Sequence, residues 1–352
     1  MKIISVLHPY LEDRIHEIEL GRYPKNHLWG LDAMQSLPGF RIKFLKSNSI
    51  KLPRFIEKLA NRLFFRNSPG IKAELSALLA SRDSTLIYSV CGPLSLISFF
   101  GKAKVVSWVF RKPSEAKQSI FSPYLAKKLK LHSAFLCLTQ NAASVFKEYS
   151  YSRFLPWCVD LELFDKDLSY KNDTLPFFLA TGKTGRDYKT LIDGAKDVPA
   201  ELRIIGPRHQ KPDFLPHNIK WISSTEDPPD TAIDYPKLRK WYSQCIGVCI
   251  PLFEDAEDTC GYTNMLEAMA MAKPVLMTSS GCLHLRPEDQ SFGYSIQPGN
   301  SNAWTQAMTN ILTSKDRAIS LGKNGLKIVQ EGFSVEKFNQ ALVCFMKEIL
   351  AK

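Results

Sequence analysis

Glu257-Asp-Thr-Cys-Gly-Tyr-Thr-Asn-Met-Leu-Glu-Ala-Met-Ala-Met-Ala-Lys-Pro-Val-Leu-Met277 opens on acids and a glycine and turns into an amphipathic helix from about Asn264. It ends at Lys273-Pro274 before an apolar strand. A loop that feeds a helix presents backbone N–H groups without intrahelical partners, at the positive end of the helix dipole. Such a helix start is a binding site for phosphate. Glu267 falls about one turn into the helix, within reach of a ligand whose phosphates rest on those N–H groups. An anion cradle with a carboxylate one turn away suits a nucleotide, with the diphosphate on the amides and the ribose hydroxyls on the carboxylate. Leu266-Glu-Ala-Met-Ala270 is also good helix-forming sequence on any protein surface.

Outward from this stretch, β-rich runs and helical periods alternate along the whole chain, which implies doubly wound α/β domains. In the first half the runs are Ile3–Leu7, Arg41–Leu45, Thr85–Val90, Lys104–Val109 and Ala134–Leu138. Helices are expected at His27–Ser36, Leu52–Phe65, Ile71–Ala80, Pro123–Leu131 and Asn141–Tyr149. In the second half the runs are Phe177–Thr181, Glu201–Ile205, Lys220–Ile222, Gly247–Pro251, Val275–Thr278 and Tyr294–Ile296. Between and after them come helices at Tyr188–Ala195, Tyr235–Gln244, Asn264–Met271, Ser301–Ser314 and Ala318–Val329. A strand-like Leu155–Phe164 followed by the polar Asp165–Thr174 sets the boundary. It gives a domain of 1–165 and one of 166–352, with the last helix, about Val335–Lys352, crossing back to the first. At 352 residues two domains are the natural expectation.

Composition is that of a globular protein, 45% hydrophobic and 23% charged. The eight cysteines are scattered without a Cys-x-x-Cys pair, as buried thiols in a reducing cytosol would be. A signal peptide and a membrane span are both absent from the pattern, so a cytoplasmic location is expected. The charge is one-sided. Residues 1–165 hold 24 Lys and Arg against 13 Asp and Glu, a net of +11, whereas residues 166–352 hold 22 of each. A one-sided basic surface points to an anionic partner, and without a recognisable nucleic-acid module a membrane or an acidic polymer is favoured.

Phe177-Phe-Leu-Ala-Thr-Gly-Lys-Thr-Gly-Arg-Asp-Tyr-Lys-Thr-Leu-Ile-Asp-Gly-Ala195 is a second constellation. A strand enters a loop with two glycines and two cations, and a helix begins near Asp187. Glycines allow close approach of backbone to ligand, while Lys183 and Arg186 supply charge for phosphate oxygens. Gly182-Lys-Thr184 lacks the spacing of a P-loop. In a doubly wound sheet ligands bind beyond the carboxyl ends of the strands. Gly182, Lys183 and Arg186 would therefore open on the same crevice as Gly261, Tyr262 and Thr263, with Gly206-Pro207-Arg208 on that side too, Arg208 more in solvent.

Three segments carry a resemblance. Glu267-Ala-Met-Ala-Met-Ala-Lys-Pro-Val275 resembles the donor motif of group-1 (GT4-like) glycosyltransferases of the GT-B fold, with Ala272 where the family has Gly. The Gly182–Arg186 loop is similar to the family's Gly-Arg and Lys, with the two cation types exchanged. Leu155–Phe164 resembles the Pro-x-Gly-Val-Asp stretch at the end of the family's first domain, with Cys158 for Gly. The resemblance implies two Rossmann-like domains facing across a cleft, with Lys183 and Arg186 on the donor diphosphate and Glu267 on the ribose. It implies transfer of a sugar from a nucleotide-sugar to a glycan, lipid-linked or other hydroxyl acceptor, with retention, in polysaccharide or glycoconjugate synthesis. The family's first acid falls on Thr259; Asp258, one residue off that register, is the nearest acid and a catalytic candidate. Neither a cofactor nor a metal is expected, since a cation-rich site neutralises a departing diphosphate by itself. A GT-B scaffold that binds nucleotide or membrane without turnover, and a GT-B sugar-nucleotide epimerase, are the alternatives.

The basic half offers further candidates. His8 ends the first strand, and His27 stands near a helix start; both are catalytic candidates, against the structural role a lone histidine commonly has. Arg111 and Lys112 stand where the family often has a His, and are candidates for an anionic acceptor. Lys51–Arg66 sets Leu52, Phe55, Ile56, Leu59 and Leu63 at helical spacing beside Lys58, Arg62 and further cations. That pattern fits a helix in an anionic membrane interface, peripheral at the inner face, with Lys127-Lys-Leu-Lys130 adding charge. It fits equally a core-packing helix with a solvated basic face.

Overall fold

The computed structural model describes residues 2–8, 14–46, 50–65, 69–110, 127–167, 175–223, 233–257, 259–280 and 284–351. The chain divides into two compact units. The first comprises Met1–His16, His27–Pro156 and Phe338–Lys352, and the second Glu17–Asn26 and Trp157–Lys337.

The first unit is built on a six-stranded parallel sheet of β1 (Lys2–Leu7), β2 (Phe40–Leu45), β3 (Leu86–Ser89), β4 (Lys104–Val109), β5 (Ala134–Cys137) and β6 (Ser152–Phe154). Its strand order is β2-β1-β3-β4-β5-β6. The four inner strands, β1, β3, β4 and β5, are runs of mostly apolar or small residues. Such runs are what a parallel sheet covered on both faces requires. Leu7, Ala77, Ile87 and Val105 form part of its core. The last helix, Val335–Ala351, contributes its residues from Phe338 on to this unit, where Lys104 donates to the Ile349 carbonyl at 2.9 Å.

The second unit holds β7 (Phe177–Thr181), β8 (Glu201–Ile205), β9 (Ile219–Ile222), β10 (Gly247–Ile250), β11 (Val275–Thr278) and β12 (Gly293–Ile296). They are again all parallel, in the order β12-β11-β10-β7-β8-β9. Counted from β7, this is the 3-2-1-4-5-6 arrangement of a dinucleotide-binding sheet. The chain leaves β7 toward one edge and returns at β10 to run to the other. The crevice between β7 and β10 is the topological switch point, the place where such sheets bind ligands. Phe178, Leu191, Leu202 and Trp304 lie in the core beneath it.

Three local expectations differ from the structure. Leu155–Phe164 is not a strand: β6 ends at Phe154, and the segment runs as irregular chain with a single bridge from Val159 to Ser334. Asp160 explains this, because its carboxylate accepts the N–H groups of Lys25, Glu162 and Leu163 and closes a turn. The expected His27–Ser36 helix is split into a short 3₁₀ turn at Lys25–Leu28 and a helix at Leu31–Gln35. Trp29 and Gly30, at φ 55° and 79°, break it. The helix expected from Asn264 begins two residues earlier, at Tyr262.

Candidate nucleotide-sugar site

The loops leaving β7 and β10 are knitted together. Arg186 and Leu252 form an antiparallel bridge, Phe253 N–H donates to the Gly185 carbonyl at 3.1 Å and Asp187 N–H to Pro251 at 3.2 Å. Gly185, at φ 66°, faces Cys260 Sγ at 3.1 Å from where a Cβ would stand. Gly182, at φ 135°, is packed on the Arg186 guanidinium so closely that any side chain would strike it.

The helix Tyr262–Ala270 starts from Gly261, which is left-handed at φ 80° and provides no side-chain cap. A Cβ there would stand 2.6 Å from Ile250 at the end of β10. Close approach and positive φ together require glycine. The helix start thus lies directly over the switch point with the first-turn amides of Thr263 and Asn264 lacking a cap, the arrangement that binds anions. The other end is a Schellman turn, with Lys273 N–H on Ala268 O and Ala272 N–H on Met269 O. Ala272 occupies its left-handed position at φ 52°, where glycine is the unstrained residue.

The two predicted cations have different surroundings. Lys183 is exposed on the loop. Arg186 is only 5% exposed and donates to Thr181 O at 3.3 Å, Thr184 O at 2.9 Å and Asn264 Oδ1 at 2.7 Å. Its charge is held inside the loop rather than projected from it. Glu267 is 3% exposed, accepts the Tyr242 hydroxyl at 2.9 Å and bonds to the Asn264 side chain. Burial raises its carboxyl to a pKa of about 7, against the opposing effect of those two hydrogen bonds. Arg186, Asn264, Glu267 and Tyr242 are therefore one buried network that ties the β7 loop to two helices. Sequence reasoning missed Asn264 and Tyr242. Asn264 stands three residues before Glu267 in the first turn, the spacing of a side-chain pair, but Tyr242 carries no local signal. Tyr262 turns its ring inward, its hydroxyl 3.5 Å from His284 Nε2, so only its backbone lies at the helix start.

Candidates in the first unit are held internally. His8 is buried and its Nε2 is 3.0 Å from the His27 carbonyl, with its ring edge on Trp29. Burial lowers both imidazoles, His27 to a pKa of about 4, so both are neutral near pH 7. Asp258, Arg111 and Lys112 lie outside the described residues. Lys58 and Arg62 are exposed on the helix Arg54–Leu63, while Lys128, expected at the surface with Lys127 and Lys130, is buried. Among the described residues no group of His, Cys, Asp and Glu is placed to hold a metal ion.

Residues 186–314, from Arg186 to just past the helix Ser301–Thr313, match the family model described as glycosyl transferases group 1. The second unit is a group-1 glycosyl transferase domain. The chain is accordingly an enzyme of the glycosyltransferase class. Whole-chain likeness extends the fold assignment. Sucrose-phosphate synthase from Thermosynechococcus elongatus superposes with a TM-score of 0.66 at 15% identity, covering 100% of both chains. A glycosyltransferase from Rickettsia africae does so with 0.66 at 13%, covering 99% of this chain and 98% of that one. HepE from Anabaena in complex with UDP-glucose gives 0.62 at 14%, covering 99% and 100%. This glycosyltransferase has the GT-B fold, its two six-stranded parallel sheets being the two Rossmann-like halves. No curated protein sequence matches it.

Proposed function

We propose that this glycosyltransferase takes a sugar from a nucleotide-sugar and passes it to a hydroxyl acceptor, a glycan or a lipid-linked saccharide. The observation that carries the reading is the uncapped helix start at Gly261, set over the β7/β10 switch point beside the Lys183 loop. Thr263 and Asn264 N–H groups and Lys183 hold the diphosphate and stabilise it as it leaves, with the buried Arg186 shaping the loop and adding its field. Glu267, oriented by Tyr242, forms the floor and takes the ribose hydroxyls. Support for a nucleotide-sugar donor comes from HepE and from an E. coli protein crystallised with UDP-2-fluoro-glucose, both of this fold. Retention, and a role in polysaccharide or glycoconjugate synthesis in the cytoplasm, belong to the same proposal. Thr259 in place of the acid, with His8 buried and His27 half-buried, favours one rival: a scaffold that binds donor without transferring sugar.

Saturation-transfer NMR with UDP-, GDP- and ADP-glucose tests donor binding, and release of nucleoside diphosphate from the bound donor tests turnover. One donor is expected to bind, about tenfold more weakly in Lys183→Ala, as loss of a charged hydrogen bond to phosphate implies. Binding without turnover under any acceptor would favour the inactive scaffold. Binding of none would remove the donor reading.

A further inference from the structure

The helix Arg54–Leu63 turns the wrong side inward. Read along its i, i+4 rows, it carries a polar row of Glu57 and Asn61, a basic row of Arg54, Lys58 and Arg62, and an apolar row of Phe55, Leu59 and Leu63. A surface helix ordinarily buries its apolar row. Here the polar row is docked. Glu57 pairs with Lys72 at 2.8 Å, and Asn61 Oδ1 accepts the Ile71 N–H at 2.8 Å, fixing this helix against the start of the next, Ile71–Ala80.

The apolar row faces outward, with Phe55 71%, Leu59 56% and Leu63 49% exposed; Ile56 and Phe64 extend it. No residue of the helix is buried. Placing so large an apolar row in water forfeits burial energy of roughly 1.5–3 kcal/mol per side chain, which marks a surface that is covered in use. Immediately beside it runs the exposed basic row, in the half of the chain that carries all of the net charge of +11. An apolar ridge flanked by cations matches one chemistry at two depths, acyl chains below and anionic headgroups above.

We propose that the outward face of Arg54–Leu63 docks on the surface of a bilayer containing anionic lipids, with Phe55, Leu59 and Leu63 in the interface and Arg54, Lys58 and Arg62 at the headgroups. The helix lies in the membrane surface; among the described residues no helix is long and apolar enough to cross one. The assignment is independent of the donor site, which lies on the second unit.

Co-sedimentation of the full chain with phosphatidylcholine/phosphatidylglycerol vesicles tests it, with pure phosphatidylcholine vesicles as the reference. The wild type is expected to sediment with the mixed vesicles, less so at high salt, and poorly with phosphatidylcholine alone. Phe55→Ser/Leu59→Ser and Lys58→Glu/Arg62→Glu should each lower the partition by about tenfold or more. Both pairs are exposed, so an unchanged melting temperature shows that the fold persists. Equal sedimentation of the wild type and either pair would overturn the proposal. So would absence of vesicle binding together with self-association in sedimentation velocity that Phe55→Ser/Leu59→Ser abolishes, which would make the occupant a second copy. UDP-glucose binding by the same samples reports separately on the donor reading.

Discussion

The two units share an architecture and differ in what sits on the helix that follows a switch strand. In the second unit the helix start at Gly261 has no side-chain cap, and its amides are available to an anion from outside. In the first unit the sheet reverses between β1 and β3, and the loop after β3 leads into the helix Leu96–Phe100. There the anion is built in. The fully buried Glu74 accepts Ser95 N–H on both oxygens at 2.8 Å and Leu96 N–H at 2.9 Å. Buried Lys128 supplies the opposing charge, and His132 accepts the Leu94 N–H at 3.1 Å while stacking on Phe135. One helix start is occupied by the protein's own carboxylate and the other is left open. A shared topology therefore offers two comparable helix starts, and side chains decide which of them is filled from within.

Breaking the internal cradle should have the largest effect. Glu74→Ala leaves two buried amides and the Lys128 charge without their partner and is expected to lower stability by roughly 3–5 kcal/mol in urea unfolding. A loss below about 1 kcal/mol would mean the carboxylate is incidental to that loop.

The second unit's own carboxylate behaves in the opposite sense. Glu267 has a pKa near 7 in the fold against 4.5 as the ordinary value, so between those limits the folded chain binds more protons than the unfolded one and stability falls as pH rises. Glu267→Gln keeps an acceptor for Tyr242 without the charge. Its stability advantage over wild type should be absent below pH 4.5, grow through the window up to about 7 and level off above it, on the order of 3 kcal/mol. Melting curves of the two proteins across that range check it, and a gap independent of pH would contradict the buried, proton-holding carboxylate.

Asn264→Ala gives the smallest change. It uncouples Arg186 from Glu267 and should cost about 1–2 kcal/mol in unfolding while weakening the binding of whichever nucleotide-sugar the NMR test identifies, through a less ordered Gly182–Arg186 loop. Unchanged stability would show that the two charges do not share a network.

Much of this architecture is legible in the amino-acid sequence. Phe177–Thr181, Lys104–Val109 and Val275–Thr278 are readable to the residue, because a strand covered on both faces must be a short apolar run between polar turns, and Glu201–Ile205 is readable from its alternation of polar and apolar residues. Gly182 and Gly261 are legible as special backbone positions, and the structure supplies the reason: both have positive φ and both are closely overlain. The inward turn of Arg186 is not legible. Its three acceptors lie at Thr181, Thr184 and Asn264, the last 78 positions away, and a cation in a loop reads the same whether it points out or in. His8 and His27 likewise read as chemistry, although the fold lowers the pKa of both by burial.

By itself the sequence determined the alternation of strands and helices, the second unit's glycine-bearing loops and the location of the basic charge, since each is written in local pattern and composition. Tertiary structure alone decided which charges face water. Glu74, Lys128, Arg186 and Glu267 are buried while Phe55, Leu59 and Leu63 are exposed. Burial depends on what packs from distant parts of the chain, and no local pattern encodes that.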